Sequence, residues 1–243
     1  MLFRSSGSGD DIILGGDAAD RIDAAAGDNI VLGDNGRIDF TRRDRVNSGA
    51  QAADQGAAVI ASIESLSLFE AGGADTITTL DGDDVVIGGR FADQIDAGDG
   101  QNVILGDSGR LTDAGAAPGT PVRGRIPLGL IESQAYSDGG DDSIRSGSGD
   151  DIILGGDAAD RIDADGGDNI VLGDNGRIDF TRRDRVNSGA LAADQGEVIA
   201  VTATIESLSP TEFGGADQIT SGAGSDIMIG RSEEHTSELQ SHS

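Results

Sequence analysis

Along most of the chain a large aliphatic residue returns every nine positions, with small and polar residues between. In residues 137–180 these aliphatics are Ile144, Ile153, Ile162 and Val171. Two positions before each stands an acid or its amide: Asp142, Asp151, Asp160 and Asn169. Two positions earlier again stands a small residue: Gly140, Gly149, Ala158 and Gly167. The same beat runs through Asp11, Asp20 and Asn29, led by Gly9 and followed by Ile13, Ile22 and Val31. It runs through Asp75, Asp84, Asp93 and Asn102, with Gly73 and Gly82 ahead of the first two, and Ile77, Val86, Ile95 and Ile104 behind. It closes with Asp217 and Asp226, led by Gly215 and Gly224 and followed by Ile219 and Met228. The Gly/Asp half of each nonad suits tight turns with positive φ. The half around the aliphatic suits a very short β-strand. A turn and a short strand, repeated, coil the chain into a solenoid with the aliphatics stacked inward. No nonad buries its aliphatic alone, so stability is shared between neighbours.

A longer repeat is laid over the short one. Residues 7–50 and 147–190 differ only at Ala25 against Asp165 and Ala26 against Gly166. A divergent copy begins at Gly72 and a truncated one at Gly214. The large unit is about 70 residues long, and each new block follows an Ile-Glu-Ser tripeptide at Ile63, Ile131 or Ile205. The first three blocks end in Gly-Asp-(Asn/Ser)-Gly-Arg-(Ile/Leu), where Ile38, Leu111 or Ile178 takes the position of the acid. The chain therefore divides into solenoid blocks at 6–40, 71–113, 137–180 and 212–230. A connecting loop and strand fill 41–70 and 181–211, and a connecting loop fills 114–136. The connectors read as long loops plus one or two strands that continue the solenoid, one such run being residues 198–205; a loop-and-cap insertion is the alternative. The proline-bearing stretch 114–129 reads as an exposed loop. The cluster Arg42-Arg43-Asp44-Arg45 reads as pairing with nearby carboxylates rather than as a site for an acidic ligand.

Residues 231–243 share nothing with the repeats and resemble the translation of a sequencing adapter, so they are set aside from the fold. The beginning runs almost directly into repeat sequence, which reads as a start inside a longer protein, and it contains no signal peptide. No apolar run approaches the ~18 residues that a membrane span needs.

Composition narrows the chemistry. The chain holds 39 Gly and 44 Asp plus Glu, no Cys, no Trp and no Lys, and only 3% aromatics. A conventional core of large apolar side chains is not available. A thin core of β-branched residues, repeated many times, is. The net charge of −27 makes a compact chain repel itself. Either it stays unfolded or cations neutralise the carboxylates as it folds. Nucleic acid and anionic membrane surfaces are poor partners because of the same charge, so no nucleic-acid partner is expected. Outside residues 231–243 there is no His, Cys or Lys, which removes the usual triads, thiol nucleophiles and Schiff-base chemistry. Paired carboxylates can hydrolyse glycosides, but the regular Asp residues already belong to the repeat. Glu64, Glu132 and Glu206 recur once per unit, which suits structure better than catalysis. The chain is not read as an enzyme.

The stretches Gly147-Ser-Gly-Asp-Asp-Ile-Ile-Leu and Gly139-Gly-Asp-Asp-Ser-Ile resemble the repeats-in-toxin (RTX), or hemolysin-type calcium-binding, family, with its G-G-x-G-x-D-x-U-x consensus. The resemblance implies an all-β, right-handed parallel β-roll with two nonads per coil. Turns eighteen residues apart then stack on one edge, with Ca²⁺ between them held by the Asp side chain and by carbonyls of the glycine-rich turns. The implied stacks are Asp142 over Asp160, Asp151 over Asn169, Asp75 over Asp93, Asp84 over Asn102, and Asp11 over Asn29. The implied ligands are these residues with Asp20, Asp217 and Asp226, and the turn glycines Gly9, Gly73, Gly82, Gly140, Gly149, Gly167, Gly215 and Gly224. Hard oxygen donors of this kind suit Ca²⁺. Departures weaken particular sites: Ala18, Phe91 and Ala158 replace the second turn glycine, Ala24-Ala25 and Thr79-Leu80 replace the leading pair, and Asn29, Asn102 and Asn169 lower the ligand charge. Ile38, Leu111 and Ile178 cannot ligate through the side chain, so those edges are empty or cap the stack. The resemblance further implies type I secretion and an extracellular or cell-surface location. The 70-residue unit suits an adhesin-like module with further tandem repeats and a surface or matrix ligand. The alternative is the C-terminal tract of a secreted toxin or hydrolase whose active domain lies elsewhere.

Overall fold

The computed structural model describes residues 3–41, 59–66, 71–114, 122–123, 126–137, 139–181, 204–208 and 214–230. The described elements are all strands, arranged in three layers of seven, seven and six strands, with Val122–Arg123 attached to the last. Most are only three to five residues long, because each nonad spends the rest of its length on a turn.

Successive nonads feed two parallel sheets in alternation. The first sheet runs Phe3–Ser5, Arg21–Asp23, Thr76–Thr78, Gln94–Asp96, Ser143–Arg145, Arg161–Asp163, Gln218–Thr220. The second runs Ile12–Leu14, Ile30–Leu32, Val85–Gly89, Val103–Asp107, Ile152–Gly156, Ile170–Asp174, Ile227–Ile229. One coil therefore takes two nonads, and the aliphatics fall in direct lateral register. Ile144 lies between Ile95 and Ile162, and Ile153 between Ile104 and Val171. These inward residues form one continuous core with Ile13, Ile22, Val31, Ile77 and Val86. The fold is the expected parallel β-roll.

The connecting segments do not continue that roll. They form a third, antiparallel layer in the spatial order Thr204–Ser207, Gly176–Asp179, Ile126–Ser133, Gly109–Asp113, Val59–Ser65, Gly36–Thr41. The expected loop at 114–136 thus contains an eight-residue strand, the longest described. The ends of the blocks, from Gly36, Gly109 and Gly176 onward, leave the roll for this layer. Residues 42–45, 198–203 and 231–243 lie outside the described residues.

The reason for the third layer is visible in the strands it covers. Strands of the first sheet carry one apolar residue between polar neighbours, as in Arg21-Ile22-Asp23 and Gln94-Ile95-Asp96. Strands of the second open with three apolar residues, as in Ile30-Val31-Leu32 and Val103-Ile104-Leu105. Side chains alternate across a strand. The second sheet therefore turns Val31 and Ile104 inward and leaves Ile30, Leu32, Val103 and Leu105 on its other face. The antiparallel layer covers that face with Ile60, Ile63, Leu111, Ile126, Leu128, Ile131, Ile178 and Phe180.

The recurrent tripeptides now have definite tasks. Ile63, Ile131 and Ile205 pair laterally with Ile38, Leu111 and Ile178 in one row across the layer. Ile38, Leu111 and Ile178 are therefore neither empty edges nor caps of the turn stack. The next residue in each tripeptide faces arginine: Glu64 stands between Arg37 and Arg110, and Glu132 between Arg110 and Arg177. Arg37 bonds Glu64 at 2.6 Å, and Arg110 approaches Glu132 at 3.7 Å. Opposite charges across neighbouring strands favour this register. The serine closes the junction to the next hairpin: Ser65 Oγ accepts the Gly109 N–H at 3.2 Å, and Ser133 Oγ accepts that of Gly176 at 3.1 Å.

Leu111 is fully buried at the centre of this layer. Leu111→Ala is expected to cost the calcium-loaded protein about 2–5 kcal/mol. Arg110→Ala, which removes a partly exposed ion pair, should cost less than about 1 kcal/mol. Urea unfolding in excess calcium measures both.

Candidate metal-binding edges

The turns between the two parallel sheets line up along two edges of the roll. On each edge the key acid or amide is stitched to its neighbours by one repeated hydrogen bond. The backbone N–H of one residue donates to Oδ1 of its counterpart in the next coil.

The first edge carries Asp20, Asp75, Asp93, Asp142, Asp160 and Asp217, linked at 2.6–3.0 Å. The second carries Asp11, Asn29, Asp84, Asn102, Asp151, Asn169 and Asp226, linked at 2.7–3.1 Å. Every pair expected eighteen residues apart is brought together. The structure adds the links that jump between blocks, 49, 55 or 57 residues apart, with the same geometry.

On the first edge one carboxylate oxygen is spent on this stitching and the other is not. Oδ2 of Asp75, Asp93, Asp142, Asp160 and Asp217 is buried without a hydrogen-bond partner. Asp93 and Asp142 are only 1% and 2% exposed. Leaving an ionised oxygen in that state is costly unless something positive accompanies it. The Oδ2 atoms of Asp75, Asp93, Asp142 and Asp160 each lie close to a glycine carbonyl. A Cβ on Gly88 would collide with Asp93 Oδ2 and the Gly106 carbonyl. One on Gly106 would meet Asp142 Oδ2 and the Gly155 carbonyl, and one on Gly155 would meet Asp160 Oδ2 and the Gly173 carbonyl. These are cradles of hard oxygen that only glycine leaves open.

Burial shifts the acids accordingly. It pushes Asp75 up to about 7 and Asp160 up to about 9, against opposing hydrogen bonds from backbone N–H groups. Asp93 and Asp142 are raised well above the ordinary carboxylate range by burial and then by like charge, from Asp142 and Asp160 respectively. Asp217 is raised by burial as well. On the second edge Asp84 is raised to about 6 by burial, opposed by backbone and side-chain hydrogen bonds that involve Asn29 and Thr79.

The expected glycines divide between the edges. Gly9, Gly82, Gly149, Gly167 and Gly224 lie on the second edge with positive φ. Gly73, Gly140 and Gly215 lie on the first, where a Cβ would strike the backbone at Ala18, Phe91–Ala92 and Ala158 of a neighbouring turn. Ala18, Phe91 and Ala158 hold φ near 70°, a strained conformation for residues with a Cβ.

Sequence reasoning missed two sets of residues. Gly33, Gly88, Gly106, Gly155 and Gly173 border the open carboxylate oxygens; they follow directly on the strand aliphatics, whereas the expected ligands were the glycines two positions before each acid. Asp34 and Asp107 stand on the first edge, where the chain leaves for a hairpin. Asp34 accepts the N–H of Gly73 at 3.0 Å and that of Arg90 at 2.7 Å. Asp107 accepts those of Gly140 and Asp157. Burial pushes Asp34 up to about 6 and Asp107 well above the usual range. Their signal was the repeated Gly-Asp-(Asn/Ser)-Gly-Arg stretch, read only as the closing nonad of each block.

Among the described residues no three acidic, His or Cys side chains converge as a metal cluster. An ion on these edges must draw the rest of its shell from backbone carbonyls. Buried carboxylate oxygens beside carbonyls fit Ca²⁺, which takes six to eight oxygen ligands. Fold and edges together define a calcium-binding repeat solenoid. A profile of the RTX calcium-binding nonapeptide repeat matches residues 5–37, 71–95, 78–110, 136–177 and 214–232, more than half of the chain. The chain belongs to that family, whose repeats bind Ca²⁺. No curated protein and no solved structure matches it.

In the metal-free fold the raised acids favour their protonated form. Their stabilising contribution is fully present below the unfolded value of 3.8 and is lost as pH rises through about 7 for Asp75 and about 9 for Asp160. Metal-free protein should therefore gain β-structure as pH falls from about 9 to about 5. Circular dichroism in chelator checks this.

Proposed function

We propose that this chain is a structural module of a secreted or cell-surface protein, adhesin-like in role, that folds as it takes up calcium. The observation that carries the reading is the row of buried, unpartnered Oδ2 atoms on the all-aspartate edge. Without cations that edge opposes folding at neutral pH. With them the same carboxylates become the link between coils, so metal binding and folding are one event. On this reading Asp20, Asp75, Asp93, Asp142, Asp160 and Asp217 supply side-chain ligands, and the neighbouring glycine carbonyls complete the shells. A chain of this kind stays extended where calcium is scarce and folds where it is abundant, which suits export in the unfolded state.

The blocks 6–40, 71–113, 137–180 and 212–230 act as successive segments of one continuous roll. The regular antiparallel layer between them favours a spacer or display role over a plain secretion tract. The RTX repeat itself is a structural calcium-binding unit, and the ligand or matrix that an adhesin would meet lies outside its chemistry.

A calcium titration followed by circular dichroism tests the reading. Strand signal should rise cooperatively with Ca²⁺ and not with equal Mg²⁺, whose small octahedral shell suits these sites poorly. Asp93→Ala should raise the calcium midpoint about tenfold or more, a loss of at least about 1.4 kcal/mol. Identical spectra in calcium and in chelator would sink the reading.

A further inference from the structure

The two edges differ in a way that the repeat consensus does not distinguish. On the first edge every gap between coils is flanked by two aspartates. On the second the order Asp11, Asn29, Asp84, Asn102, Asp151, Asn169, Asp226 places one aspartate and one asparagine at every gap.

All three asparagines are completely buried. The N–H groups of Asp11, Asp84 and Asp151 donate to their Oδ1 atoms at 3.1, 3.0 and 2.9 Å. That bond fixes the amide, since the reverse orientation would set N–H against N–H. The NH₂ group is thereby turned onto carbonyls of the turns. Asn29 donates to Ala25 at 3.1 Å and to Gly27 at 2.7 Å. Asn102 donates to Gly98, Gly100 and Ser146 at 3.2, 3.4 and 3.1 Å. Asn169 donates to Gly167 at 3.2 Å. Amide hydrogens thus occupy carbonyl oxygens that a cation would need, and they bring positive charge to the same place.

Asp84 Oδ2 is buried on this edge too, and side-chain hydrogen bonds that involve Thr79 and Asn29 accompany that carboxylate.

We infer that calcium is confined to the all-aspartate edge, and that the asparagine edge is a metal-free spine whose carboxamides replace the ions. This rests on the calcium reading above and refines it. The six stacked aspartates of the first edge, apart from the hairpin clamps Asp34 and Asp107, enclose five gaps, so the saturated chain should hold no more than five ions.

Native mass spectrometry of the full chain from calcium-containing buffer counts them directly. The variant N29D/N102D/N169D, which gives the second edge two aspartates at every gap, should carry at least three additional ions. The single variant N102D should carry at least one more. Circular dichroism in calcium establishes that both variants are folded. More than five ions on the unaltered chain, or folded variants with an unchanged count, would overturn the inference. The unaltered-chain count stands even if a variant fails to fold. No bound calcium at all would instead remove the functional reading on which it rests.

Discussion

The structure depends on how a buried carboxylate is accompanied. Coils of the first edge bring aspartates such as Asp142 and Asp160 into the interior of a stack, with one oxygen tied to the backbone of a neighbour and the other buried beside a glycine carbonyl. In water such a group is ionised and hydrated. In the stack it has lost its hydration and stands near other acids, which is why Asp93, Asp142 and Asp160 are shifted so far upward. Only a proton or a cation relieves that state. The hydrophobic rows alone are thin, one aliphatic per coil on each inner face, so the electrostatic term governs when the roll forms.

The third layer addresses a different constraint. A roll two sheets thick leaves two outer faces. Here one is polar and faces water, while the other is lined by Ile30, Leu32, Val85, Ile87, Val103 and Leu105. An apolar face of that extent has to be covered. The hairpins do this using residues far apart in sequence, and the Arg37–Glu64 and Arg110–Glu132 contacts mark their outer, charged side. The thin inner core is thus joined to a second, thicker one.

Much of the roll was legible because a nine-residue beat, taken twice per coil, dictates which side chains meet. Asp142 and Asp160 had to lie on one edge once that period was recognised. The hairpin layer was not legible, because its strands carry no such beat and their partners are set by tertiary contact. The clue lay in contrasting triplets: Arg21-Ile22-Asp23 needs one dry face, whereas Ile30-Val31-Leu32 needs two. Ile63 and Ile131 looked like punctuation between blocks and are core residues. At the edges, the acids and amides were found, but not the division of labour between them. Asp and Asn fit the same consensus position and differ only in whether the second side-chain atom accepts or donates.

The clamps at Asp34 and Asp107 have a consequence for how such a protein can vary. Each holds the point where the chain departs for a hairpin to the point where it comes back and to the coil above. Excursions of different length, reflected in links of 49, 55 and 57 residues, end in the same stacking. Coil geometry is thereby insulated from whatever the excursion contains. A lineage can lengthen, shorten or exchange hairpin tips without retuning the metal edge, so the roll serves as a ruler from which diversified elements are hung at a constant pitch.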